Sequence, residues 1–170
     1  MGTFSTLQDD CVPECCKCRV LVLGCGNTLF GDDGFGPAVV EHLQRYYAVP
    51  EGVCVLDAGT GVRDLLYTVA LSPVKPQRIV VIDAVDRGTK PGEVFVGSTE
   101  DVPATKESNF SLHQLPTSSL LKEIRDCCEL EILLITVQPG FIPEAVGPGL
   151  SSTVAAAVPG VCQHVIESCF

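Results

Sequence analysis

Apolar residues in this chain come in short uninterrupted runs separated by polar stretches of helical spacing. Arg19-Val20-Leu21-Val22-Leu23, Val53-Cys54-Val55-Leu56, Arg78 to Ile82 and Glu131 to Val137 each read as strands covered on both faces, since a strand with one wet face would alternate. Between them, Val39, Val40, Leu43 and Tyr47 recur near a 3.6-residue period and predict a helix from Pro37 to Tyr47. Further helices are predicted around Val62 to Leu71 and after His113 towards Cys127. A last one runs from about Ser151 to Ile166, which Pro159 should kink or interrupt. Glu93-Val94-Phe95-Val96 follows the third strand too closely for a crossover helix and reads as an antiparallel neighbour or edge strand. The expectation is an α/β fold, with a single mostly parallel sheet of about five strands between helices. Residues 1–18 read as an irregular cysteine-containing arm and 19–170 as one domain.

Composition narrows the partners. The 170 residues carry 11 Lys+Arg against 21 Asp+Glu, a net charge of −10, and no basic stripe is visible to hold nucleic acid or a membrane surface. No apolar run approaches the roughly 20 residues that span a bilayer. No signal-like segment opens the chain, so the expected compartment is the cytoplasm. Ten cysteines suit a reducing compartment, where a free thiol behaves as a small buried hydrophobe.

Open α/β sheets bind ligands beyond the carboxyl ends of their strands, and three acids fall there. Asp33 lies in the loop after the first strand, Asp57 closes the second and Asp83 closes the third. A cap or turn role accounts for any one alone; three together point to a cation or acid/base site. Asp32 reads as a solvent-facing or turn residue. Of the imidazoles, His42 and His164 fall within helices and read as structural or surface groups. His113 ends a long polar loop in Ser111-Leu112-His113-Gln114-Leu115, from which it can reach the strand ends. Two carboxylates and one imidazole match a borderline divalent ion and leave positions open for water or substrate.

Other chemistries fare worse. Gly24-Cys25-Gly26-Asn27-Thr28-Leu29 begins like a dinucleotide fingerprint but has Leu29 at the third glycine position, and no Walker lysine follows. Cys25 has no electropositive sequence neighbour to make it a thiolate nucleophile. The arm's Cys11, Cys15, Cys16 and Cys18 have a spacing unlike standard ligand patterns and read as accessory or incidental.

Leu21 to Gly36, Leu56-Asp57-Ala58-Gly59-Thr60, Ile82-Asp83-Ala84 and Ser111-Leu112-His113-Gln114 together resemble the nickel-iron hydrogenase maturation endopeptidases, in order from about Arg19 onward. The resemblance implies a twisted five-stranded sheet between helices. It also implies an endopeptidase, metal-dependent or aspartyl-type, that removes a C-terminal extension from the hydrogenase large-subunit precursor once nickel is inserted. Asp33, Asp83 and His113 then match the metal ligands, and Asp57 a segment whose role, supporting or catalytic, stays open. The nickel would arrive with the substrate, with no permanently bound metal in the enzyme. Within the family, the chain looks closest to the branch serving deazaflavin-reducing hydrogenases. A noncatalytic nickel-sensing chaperone of the large subunit is the alternative, and a small metallo-hydrolase a third reading.

Overall fold

Five strands, Val20–Cys25 (β1), Val53–Gly59 (β2), Arg78–Ala84 (β3), Val94–Ser98 (β4) and Glu131–Val137 (β5), form one sheet in the order β2-β1-β3-β5-β4. The computed structural model describes residues 12–101 and 118–170; Cys11 and His113 lie outside the described residues. β1 pairs in parallel with β2 and β3, β3 with β5, and β4 runs antiparallel along β5 at the edge. The sheet is thus mostly parallel, and β4 is the edge strand that its short connection implied.

Each face of the sheet carries its own core. Val22, Val80, Ile82, Ile135 and Val137 pack against α2 (Phe35–Tyr46) and α6 (Val158–Cys169). Leu21, Leu23, Ile79, Val81, Ile132 and Leu134 pack against α3 (Val62–Leu71) and α4 (Ser118–Cys128). Two-sided burial is why these strands show apolar runs instead of alternation. On α2, Phe35, Val39 and Leu43 stand at i, i+4 and i+8 and are fully buried. Burying each contributes about 1.5–3 kcal/mol, which seats the helix directly behind Asp33.

The structure departs from the sequence reading at several boundaries. The strands run on to Cys25, Gly59 and Ala84, so Asp57 and Asp83 belong to the ladder. Pairing persists because each has a parallel neighbour in register, Gly24 for Asp57 and Thr136 for Asp83. A 3₁₀ turn, Gly31–Gly34, precedes α2. The final helix divides into α5 (Ser152–Ala155) and α6, with Pro159 in the first turn of α6, where its missing N–H costs nothing.

In the expected irregular arm, Glu14–Lys17 form a short helix, α1, and Val12, Cys15 and Cys16 are buried in the α3/α4 core. Folded structure therefore begins before Arg19, because these apolar groups cover β1 and β2 on that face. The nine described cysteines are free thiols. Cys16→Ser puts a hydroxyl where a fully buried thiol stood and should lower unfolding stability by about 1–3 kcal/mol, measured by urea denaturation. Unchanged stability would mean that this segment is no part of the core.

Candidate active site at the carboxyl ends of the strands

Beyond Cys25 the backbone reverses at Gly26, with φ +122°, a conformation that L side chains rarely adopt. Phe30 and Asp33 donate backbone N–H bonds to Asn27 and Phe30 carbonyls, winding the loop into the 3₁₀ turn. That turn sits directly on the strand ends. A Cβ on Gly36 would collide with backbone atoms of Cys25 and Ile82, and one on Gly24 with the Gly36 carbonyl. Glycine is needed there so that the start of α2 can cross β1 and β3 at backbone contact.

The crossing brings Asp33 to Asp83. A Cβ on Gly26 would strike the Asp33 carbonyl and stand 3.7 Å from Asp83 Oδ1, so this glycine lies between the Asp33 backbone and the Asp83 carboxyl. Asn27 N–H donates to Asp33 Oδ2 at 2.8 Å, and Ala84 N–H donates to Asp83 Oδ1 at 2.8 Å. Both carboxyls are 4% exposed. Burial, with a further push from the Asp33 charge, raises the Asp83 pKa to about 8 against the opposing pull of the Ala84 N–H. At neutral pH, Asp83 therefore keeps its proton beside Asp33, chiefly because burial disfavours its charged form.

Asp57 is placed differently. It is exposed on β2, with Oδ1 accepting the Gly59 N–H at 2.9 Å. It lies across β1 from Asp83, two strand spacings or about 10 Å away along the sheet. His113 lies outside the described residues, and among the described residues no three His, Cys, Asp or Glu side chains are arranged to hold a metal ion. Two of the expected ligands thus converge in the described structure. Cys25 is 2% exposed, and burial together with the Asp83 and Asp57 charges raises its thiol well above the ordinary range, the reverse of what a thiolate nucleophile needs.

Asp32 corrects the sequence reading: it is fully buried. Its carboxylate accepts the Gly140 and Phe141 N–H groups, both at 2.8 Å, the Ser151 N–H at 2.6 Å and the Ser151 hydroxyl at 2.9 Å. Successive residues of a 3₁₀ turn point about 120° apart, so adjacent acids serve opposite sides of one turn, Asp33 the strand ends and Asp32 the loop after β5. Gln138, also buried, binds that loop to the one after β3. It accepts the Arg87 N–H at 2.7 Å and donates to Asp86 at 3.1 Å. The Asp-Asp doublet between glycines was a signal for Asp32, whereas nothing in sequence marked Gln138.

A mostly parallel sheet with a buried acid pair at its carboxyl ends defines an α/β protein with a strand-end acid site. The sequence profile of the hydrogenase maturation protease family HycI matches residues 37–168. A putative hydrogenase maturation protease of Methanocaldococcus jannaschii is 36% identical over 151 residues, covering 88% of this chain and 96% of the relative. The coenzyme F420 hydrogenase subunit delta of Methanothermobacter thermautotrophicus is 32% identical, covering 88% of this chain and 93% of its own. The solved structure of the hydrogenase-maturating endopeptidase HybD of E. coli superposes with a TM-score of 0.73 at 31% identity, covering 88% of this chain and 91% of the other. The chain belongs to the hydrogenase maturation proteases, and is therefore a peptide-bond hydrolase. That membership sets aside the noncatalytic chaperone reading. No helix among the described residues is long and apolar enough to cross a membrane.

A raised carboxyl pKa has a definite stability signature. Asp83 holds its proton in the fold up to about pH 8, while in the unfolded chain it ionises near pH 4. Its contribution is fully present below that lower value and is lost as pH rises through the folded one. Between pH 4 and 8, wild-type stability should therefore fall relative to Asp83→Asn, followed by urea denaturation across the range. Parallel pH curves for the two proteins would show that Asp83 is ionised in the fold.

Proposed function

We propose that this enzyme, acting in the cytoplasm, removes a C-terminal extension from the nickel-loaded large-subunit precursor of a nickel-iron hydrogenase. Asp33, Asp83 and His113 would meet the nickel carried by that substrate. The observation that supports this most strongly is the buried Asp33–Asp83 pair, which holds a proton when alone. A dication satisfies both carboxylates at once and displaces that proton. Two oxygens and one nitrogen without thiolates grip a free ion modestly compared with a closed four-ligand site, which suits recognition of an ion that arrives in another protein and leaves with it.

In this reading, metal testing and cutting share one contact. Seating the precursor's nickel against Asp33 and Asp83 would fix the scissile bond at the carboxyl ends of β1 and β3, supplying orientation before chemistry begins. Asp57, exposed on the rim across β1, remains outside the ion's reach as a base to take the proton of the attacking water. The loops after β3 and β5, tied together by Gln138 and to the 3₁₀ turn by Asp32, are where the precursor's tail would lie. A deazaflavin-reducing hydrogenase is the proposed client, supported by the likeness to the coenzyme F420 hydrogenase subunit delta.

Incubation with nickel-loaded and nickel-free precursor, followed by mass spectrometry, tests the reading. The loaded precursor should lose its C-terminal segment and the nickel-free one should keep it. Asp33→Asn, Asp83→Asn and His113→Ala should each slow cleavage on the order of a hundredfold or more without unfolding the protein. Unchanged precursor mass in both samples, or wild-type turnover by the three variants, would contradict it.

A further inference from the structure

One buried polar group beside the acid pair has no role in the chemistry described so far. Thr136 is 2% exposed, and its Oγ1 is the one buried side-chain oxygen or nitrogen without a hydrogen-bond partner among the described residues. It stands on β5 directly opposite Asp83 on β3. Residues paired in a parallel ladder project from the same face of the sheet, about 4.8 Å apart. The flanking pairs identify that face. Val81 and Leu134 pack with α3 and α4, whereas Ala84 and Val137 pack on the opposite side. The hydroxyl therefore emerges next to the Asp83 carboxyl, whose Oδ1 is already engaged by the Ala84 N–H.

We infer that Thr136 is a positioning residue for Asp83, its hydroxyl donating to the Asp83 carboxylate when the acid pair engages the substrate's metal. The inference rests on the function proposed above. Leaving a hydroxyl unpaired in a dry interior is unfavourable, and valine would fill the same space without that cost. In the structure the hydroxyl has no partner while Asp83 Oδ1 is held by the Ala84 N–H, and a carboxyl drawn onto an ion presents its other oxygen as an acceptor across the ladder. Since the bond is absent before engagement and present after it, it favours the engaged state selectively, which is how a contact raises turnover and not merely affinity. It also fixes which carboxylate lone pair faces the ion.

Wild type, Thr136→Val and Thr136→Ser are compared in two measurements, cleavage of nickel-loaded precursor and thermal unfolding of the enzyme alone. Thr136→Val should lower kcat about tenfold with KM within about twofold, while its Tm stays the same or rises because the orphan hydroxyl is gone. Thr136→Ser should restore most of kcat. A Thr136→Val enzyme that cleaves at the wild-type rate overturns the inference. So does one that loses activity together with Tm and is not rescued by Ser, since that pattern marks a packing role. Wild type unable to cleave the loaded precursor would overturn the functional reading and this inference together; an active wild type matched by Thr136→Val overturns this inference alone.

Discussion

The site depends on one close crossing of backbones. The start of α2 passes over the ends of β1 and β3 with Gly24 and Gly36 against each other and Gly36 against Cys25 and Ile82. A single methyl group at either position would lift the helix off the sheet and carry Asp33 with it. Asp33 sits on the 3₁₀ turn that leads into α2 and Asp83 on the strand beneath, so the acids meet only as long as the crossing holds. Phe35, Val39 and Leu43 supply the apolar burial that holds it.

What the crossing creates is electrostatically uncomfortable by itself. Burial, with a smaller push from the Asp33 charge, raises the Asp83 pKa to about 8 and so favours its protonated form. A dication acts differently, by neutralising both carboxylates. The unsatisfied hydroxyl of Thr136 lies at the same place. Contrast Asp32, one residue away from Asp33 and equally buried: four donors surround its carboxylate, and it acts as a fastener between the turn and the loop after β5. Neighbouring acids of the same type thus divide between holding the fold and remaining available to a ligand.

Much of this architecture was legible because buried parallel strands leave a coarse signature. Runs such as Ile79 to Ile82 show as strands, the short step to Val94 shows as an edge, and Pro159 shows as a break before α6. Strand ends were less legible, since Asp57 and Asp83 look like terminators while their neighbours across the ladder keep them paired. Cys15 and Cys16 read as part of a loose arm because four helical residues carry no periodicity, and only the tertiary fold shows that they cover β1. Within the site, the strand-end rule located Asp33, Asp57 and Asp83, but not their inequality. Asp57 is exposed and Asp83 buried, a difference decided by which strand is at the edge. Thr136, a polar residue among the apolar ones of β5, gives no hint in sequence of the acid that faces it across the ladder.

The central claim is that Asp33 and Asp83 form one cation-accepting site. Diffraction from crystals soaked in Ni²⁺, with data collected at the nickel absorption edge, tests it most directly. An anomalous peak about 2.0–2.2 Å from a carboxylate oxygen of each is the predicted result. A peak only elsewhere on the protein, or no peak with the two carboxyls turned apart, would contradict it.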